Sequence, residues 1–165
     1  MDIDSTKAGT QANSYSSAEE ADDYLESTYG KEYWKDLTDQ EKESLLITAT
    51  RAIERLRVKY PSISETQKLK FPVNTFNRTD QESRPLGDGY DKVKEATILQ
   101  ADYIYQHADE LEQAMENRIQ QTTDKQVGPL SVKQTMNGLN PMAVLSHEAI
   151  MILSPYIDLT VKAQR

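Results

Sequence analysis

The sequence predicts a mainly α-helical protein, a small bundle of about four helices with a long irregular loop and flexible termini. At most one short β-hairpin or edge strand is expected. Apolar residues recur at spacings of three and four in stretches that begin with capping residues. Residues 61–89 interrupt this pattern with three prolines and two glycines. Only 37% of the 165 residues are hydrophobic, which indicates a small core.

The first helix begins at Ser16 or Ser17, because each of these residues has a glutamate three positions later. Gly30 is a natural stop for it. The preceding residues 1–14 are small and polar, which predicts a flexible N-terminal arm. Trp34 follows the first helix, and we expect it to fill the joint with the next one.

The second helix is the best marked, and the other elements are expected to cover its apolar stripe. It begins at Thr38, which has the capping-box partner Glu41, and it continues to about residue 60, where Pro61 stops it. Its predicted inner face contains Leu45, Ala49, Ala52, Ile53 and Leu56.

The loop of residues 61–89 is long enough to be functional or disordered. We expect Leu69, Phe71, Val73 and Phe76 to anchor its first half on the helices. The second half, from Asn77 onward, is polar and is expected to reach outward.

A third helix is predicted from Tyr90 to about residue 115, and the last helix runs from Asn140 and Pro141 to Pro155. Between them, residues 127–132 could form a short edge strand. The organisation is then an arm (residues 1–14), a helical domain (15–153) and an apolar tail (154–165) that docks on a partner. The residues expected to organise the core are Trp34, Leu45, Ala49, Ile53, Leu56, Phe71 and Ile104.

The composition favours a binding or structural protein over an enzyme. Nucleotide-binding loops, nucleophile elbows and cysteines are absent from the sequence, so we expect no catalytic residues, no metal and no cofactor. Acids cluster at Glu19, Glu20, Asp22 and Asp23, and His107 lies three residues before Glu110. Both groups are interpreted as solvated helix surfaces. The net charge of −8 disfavours a nucleic-acid binder.

Several motifs resemble small head–tail connector proteins of tailed bacteriophages. They follow one another in the order of that family from about residue 13 to residue 157. They are Asn13-Ser-Tyr-Ser-Ser-Ala-Glu-Glu-Ala-Asp-Asp-Tyr24, Trp34, Glu43-Ser-Leu-Leu-Ile-Thr-Ala-Thr-Arg-Ala-Ile53, Gln67-Lys-Leu-Lys-Phe-Pro72, Val93-Lys-Glu-Ala-Thr97, Val127-Gly-Pro-Leu-Ser131 and Leu153-Ser-Pro-Tyr156. Val73 departs from the family, which often has arginine after the Phe-Pro pair, and residues 74–89 are longer than expected.

The resemblance implies a ring, typically twelvefold, that is assembled in the bacterial cytoplasm and located in the virion between the portal and a stopper or tail-completion protein. Packaged DNA would pass through its lumen without specific binding, and no membrane is involved. The portal-binding residues would be Leu153, Tyr156, Ile157, Leu159 and Val161. The residues that contact the stopper would be Phe76, Asn77, Arg78, Arg84 and Leu86.

Two alternatives remain beside the connector. The first is a replication accessory protein that binds single-stranded DNA, because some relatives of this type carry a primosome-like label. Its candidate patch contains Lys68, Lys70, Phe71, Phe76 and Arg78, followed directly by the acids Asp80 and Glu82. The second is a regulatory module that binds a host protein.

Overall fold

The computed structural model describes residues 2–80, 84–110 and 145–159, and four α-helices and one 3₁₀ turn have both of their ends within these ranges. The helices are α1 (Ala18–Glu26), α2 (Asp39–Glu54), α3 (Tyr90–Gln106) and α4 (His147–Leu153), with the 3₁₀ turn at Glu32–Asp36 between α1 and α2. Within those ranges the only β-structure consists of isolated antiparallel bridges. The prediction of a mainly α protein is confirmed.

The capping boxes that the sequence predicts are present at both helix starts. Ser17 and Glu20 exchange hydrogen bonds at the start of α1, and Thr38 and Glu41 do the same at the start of α2. Helix α2 ends at Glu54, however, and the prediction of about residue 60 was wrong. Residues 57–59 run beside the C-terminal segment instead, where the Lys59 N–H donates to the Tyr156 carbonyl at 2.8 Å.

The core consists of two clusters around α2 and α3. One joins α2, α3 and α4 with the loop, and the other joins α1 and the 3₁₀ turn to α2 and α3. Of the residues predicted to organise the core, five are buried: Trp34, Ala49, Ile53, Leu56 and Phe71.

The other two predicted core residues, Leu45 and Ile104, are only half-buried at the edge of the second cluster. Leu46 is the fully buried leucine of α2. Adjacent residues on a helix point about 100° apart, so a prediction that is wrong by one position exchanges an interior side chain for one at the edge.

The N-terminal segment predicted as a flexible arm makes specific contacts with the body. The Tyr90 hydroxyl donates to the Ser5 carbonyl at 2.8 Å, and the backbone N–H of Lys68 donates to the Gly9 carbonyl at 3.1 Å. Lys7 forms a 2.7 Å ion pair with Asp88. Residues 2–14 therefore lie along the start of α3 and the long loop.

The beginning of the apolar C-terminal tail belongs to the core, which corrects the expectation that it docks on a partner. Tyr156 and Ile157 are buried, and the Tyr156 ring meets Phe71 edge to face at a centroid distance of 5.8 Å. Ile157 pairs with Val58 in an antiparallel bridge, because the chain after α2 offers backbone partners there. Leu159 remains 43% exposed, and Val161 lies outside the described residues.

Two predicted helix ends were wrong. Helix α3 ends at Gln106, with His107 as its C-cap, and does not continue to about residue 115. Helix α4 begins at His147, with Ser146 as its N-cap, and not at Asn140. The edge strand predicted at residues 127–132 lies outside the described residues. In the part of the chain that the structure describes, no helix combines the length and the apolarity needed to cross a membrane.

Candidate functional site

Positive charge is concentrated in one part of this acidic chain. Residues 51–78 contain seven of the 19 Lys and Arg residues but only two of the 27 acids, so this stretch has a net charge of +5 in a chain of −8. Its basic residues are Arg51, Arg55, Arg57, Lys59, Lys68, Lys70 and Arg78. The sequence analysis considered only the last three of them. A count of charge along the chain would have found the others.

The last turn of α2 and the extended residues after it present four of these side chains to solvent. Arg51 lies in the last turn of α2, and Arg55, the C-cap of that helix, follows four residues later; both side chains are exposed. Arg57 and Lys59 follow on the exposed side of an extended segment, and the alternating residue Val58 packs on the core. The helix and the segment therefore form a continuous basic edge.

The long loop folds back beside this edge through an antiparallel pairing. The N–H of Asn74 donates to the Pro61 carbonyl at 2.8 Å, and Ser62 bridges to Val73. Lys59 and Phe76 each lie two residues beyond the hydrogen bond between Pro61 and Asn74, at the same end of the pairing. The loop thus brings Phe76 toward the basic edge.

Phe76 is 64% exposed, and the expectation that it anchors the loop in the core was wrong. Its φ is +51° and that of Asn77 is +58°, an uncommon conformation for a bulky side chain. The Asn74 side chain accepts the Phe76 N–H at 3.0 Å and holds the turn. Backbone strain of this kind costs about 1–3 kcal/mol and is concentrated at functional sites.

The two acids of the basic stretch differ in their surroundings. Glu65 is exposed, whereas the Glu54 carboxylate accepts hydrogen bonds from the Tyr15 hydroxyl and from the Lys70 N–H at 3.1 Å. Burial raises the pKa of Tyr15 far above its ordinary value, and the Glu54 charge raises it further, so the hydroxyl remains a donor. The Glu54 carboxylate is therefore engaged within the protein, by Tyr15 and by the loop residue Lys70.

The patch predicted for single-stranded DNA is only partly exposed. Lys68, Phe76 and Arg78 face solvent. Phe71 is buried, and the Lys70 ammonium donates to backbone carbonyls at the end of α2.

Of the two acids that follow this patch in the sequence, Asp80 and Glu82, one lies in the described part of the structure. Asp80 accepts from both the N–H and the Nε of Arg84, at 2.8 and 3.0 Å. Glu82 lies outside the described residues.

Four of the five residues predicted to contact a stopper are exposed. Phe76, Asn77, Arg78 and Arg84 are exposed, but Leu86 packs against the core and its carbonyl accepts from the Tyr156 hydroxyl.

The acid and histidine groups of the sequence analysis are engaged locally. His107 stacks on Tyr103 at a centroid distance of 4.2 Å, and its Nδ1 lies 3.0 Å from the Tyr103 carbonyl. Glu20 is part of the capping box and pairs with Lys94. Over the described ranges, acids and histidines do not gather in threes in a way that could hold a metal ion.

One family model matches the chain over residues 1–165, and its description is "Putative DnaT-like ssDNA binding protein". The curated proteins contain no match, and neither do the solved structures.

The family match contradicts the head–tail connector interpretation. Four predictions were therefore wrong: the portal as a partner, the stopper as a partner, the twelvefold ring and the passage of DNA without specific binding. The roles assigned to individual residues in binding the portal or the stopper depended on these partners and no longer apply. The alternative of a protein that binds single-stranded DNA agrees better with the match. The virion location and the absence of enzyme activity stay predictions from the sequence.

Proposed function

Because the chain belongs to the DnaT-like ssDNA-binding family, we propose that it binds single-stranded DNA at one basic surface. We define this surface by the exposed side chains of Arg51, Arg55, Arg57, Lys68 and Arg78, together with the exposed ring of Phe76. The proposal assigns binding to the protein and no reaction.

The concentration of positive charge in residues 51–78 carries this proposal. Binding to a nucleic-acid backbone is driven by lysine and arginine side chains that neutralise phosphates and release counterions. The rest of the chain has a net charge of −13 and repels phosphates. A strand is therefore expected to approach this surface and to avoid the remainder of the molecule.

Phe76 supports binding to unpaired bases in particular. Proteins that bind single strands combine a basic surface with aromatic rings on which bases stack. Phe76 is exposed, lies at the end of the loop pairing and is followed two residues later by Arg78. A base in a duplex is already stacked on its neighbours, so the ring favours a single strand over a duplex.

The test is a titration of fluorescently labelled oligothymidylate, followed by anisotropy at a series of salt concentrations. The logarithm of the association constant should fall linearly with the logarithm of salt concentration, with a slope of about −0.7 for each phosphate contact. The double variant Arg55→Gln/Arg57→Gln should bind more weakly, and its slope should be shallower by about 1.4.

Lys92→Gln is the matched control, because Lys92 is an exposed residue outside the basic stretch. It should leave the affinity and the slope unchanged. Absence of binding to the wild-type protein at low salt would refute the proposal, and an equal loss in the control would refute the assignment of the surface.

Phe76→Ala tests the stacking contribution separately. The loss of one base–aromatic contact should cost about 1–3 kcal/mol of binding to the single strand, with little change in the salt slope. The same titration with duplex DNA should show a smaller loss. If both forms of DNA lose affinity equally, Phe76 does not stack on a base.

A further inference from the structure

The C-terminal ends of two helices border the proposed DNA-binding surface. Helix α2 ends at Glu54 and α4 ends at Leu153. The segments that follow them pair in antiparallel fashion, where the N–H of Asp158 donates to the Arg57 carbonyl and that of Lys59 to the Tyr156 carbonyl, both at 2.8 Å. The two helix ends therefore lie at opposite ends of this pairing, beside the basic residues.

A helix C-terminus is unfavourable next to a phosphate. Its last carbonyls have no partner within the helix and together correspond to a charge of about −0.5. Anions bind at the opposite, N-terminal end of helices. Two such ends beside the surface would weaken the attraction of its arginines for a DNA backbone unless they were neutralised.

Each of these helix ends is covered by a lysine of the basic stretch. The Lys70 ammonium donates to the carbonyls of Glu54 and Leu56, the latter at 2.7 Å. The Lys59 ammonium donates to the carbonyls of Ser154 and Pro155, at 3.1 and 3.3 Å. An ammonium group has three donors, so two of the three are already used inside the protein.

Lys70 also connects the loop to α2. Its backbone N–H donates to the Glu54 side chain, and the next residue, Phe71, donates its N–H to the Tyr15 hydroxyl at 3.2 Å. The start of the segment that leads to Phe76 is thereby attached to the end of the helix that carries Arg51 and Arg55.

We propose that Lys59 and Lys70 are positioning residues of the DNA-binding surface and contact no phosphate themselves. They neutralise the two helix ends, and the arginines make the phosphate contacts. This inference rests on the proposed function, because it assigns roles within the same surface.

The experiment compares the salt dependence of oligothymidylate binding for Lys70→Gln, Lys59→Gln and Arg57→Gln. Glutamine keeps an N–H donor but removes the positive charge. Each lysine variant should bind about two- to fivefold more weakly at low salt, and its slope should change by much less than the roughly 0.7 of a lost phosphate contact. Arg57→Gln should flatten the slope by about 0.7, because a phosphate contact is lost.

Lys70→Arg should restore wild-type affinity, since it returns the charge to the end of α2. If Lys70 had only a structural role, Lys70→Gln would instead lower the free energy of unfolding and leave the affinity of the folded protein unchanged. Lys59 is exposed and outside the Tyr15 contacts, so Lys59→Gln provides a second variant that should fold. Far-UV circular dichroism checks the fold of each variant.

Two results would overturn the inference while the proposed function stands. One is a slope that flattens by about 0.7 in a lysine variant, which would make that lysine a phosphate ligand. The other is an unchanged affinity in both lysine variants. Failure of the wild-type protein to bind at all would instead overturn the proposed function, and it is seen before any variant is measured.

Discussion

At the scale of single residues, Tyr15 shows how one hydroxyl joins distant parts of the chain. It donates to the Glu54 carboxylate and accepts the N–H of Phe71, and its ring meets Phe71 edge to face at 6.0 Å. The residue is fully buried. A buried polar group that loses its partner costs far more than the hydrogen bond contributes when it is made.

Tyr15→Phe should therefore lower the free energy of unfolding by about 1–3 kcal/mol, because the Phe71 N–H is left buried without its acceptor. Urea denaturation followed by circular dichroism measures the change. Tyr29→Phe is the matched control, since Tyr29 is 98% exposed, and it should be neutral. Equal stability of the wild type and Tyr15→Phe would show that the hydroxyl contributes no net stability.

At the scale of elements, the start of α2 depends on neighbouring residues, whereas its end depends on residues that are distant in the sequence. Its start is fixed by the reciprocal hydrogen bonds between Thr38 and Glu41. The pKa of Glu41 is below its ordinary value of 4.5. The hydrogen bond from the Thr38 hydroxyl is the larger cause, and the one from the Thr38 backbone N–H is the smaller. Its end at Glu54 depends on the C-terminal segment, which pairs with residues 57–59.

Thr38→Ala should lower the free energy of unfolding by about 1 kcal/mol at neutral pH, because the side-chain cap is lost. A lowered carboxyl pKa stabilises the fold above pH 4.5, and this contribution is lost as the pH falls through the folded-state value. The difference between variant and wild type should thus narrow on acidification, which urea denaturation at pH 7 and pH 3 measures.

Thr48→Ala, within the exposed face of α2, is the control for Thr38→Ala. It should be neutral or slightly stabilising, since alanine is the better helix former. A cost as large as that of Thr38→Ala would mean that side-chain loss alone, and not capping, explains the result.

At the scale of the whole molecule, the C-terminal segment completes the core. Helix α4 and the residues after it pack against α3, α2 and the loop, and Leu153 and Ile157 are among the most deeply buried side chains. The Gln100 side chain of α3 accepts the Ser146 N–H at 2.8 Å and holds the start of α4. The tail that the sequence analysis assigned to a partner is thus part of the fold as far as Ile157.

Ile157→Ala should lower the free energy of unfolding by about 2–5 kcal/mol, because it leaves a cavity at a fully buried position. Thermal and urea denaturation both report it. Leu159→Ala, two residues later and 43% exposed, should change stability by less than about 0.5 kcal/mol. A mild effect at both positions would mean that the segment docks weakly on the body.

The sequence by itself determined the features that depend on neighbouring residues. The helical class follows from the spacing of apolar residues, and both capping boxes follow from local hydrogen bonding. Trp34 and Phe71 were expected to be buried because they are large and aromatic, and they are. The family resemblance was wrong because its motifs describe packing and turns, which proteins with different partners can share.

Only the tertiary structure decided the features that depend on distant residues. The apolar sequence of residues 154–159 suits docking on a partner and packing on the protein's own core equally well. The structure shows that Ile157 pairs with Val58 of the same chain. Phe76 is large and apolar, as expected of a residue that anchors a loop, yet its left-handed backbone conformation leaves the side chain exposed to solvent. Lys70 was indistinguishable in sequence from the exposed Arg78, because only the folded loop places its ammonium on the carbonyls of α2.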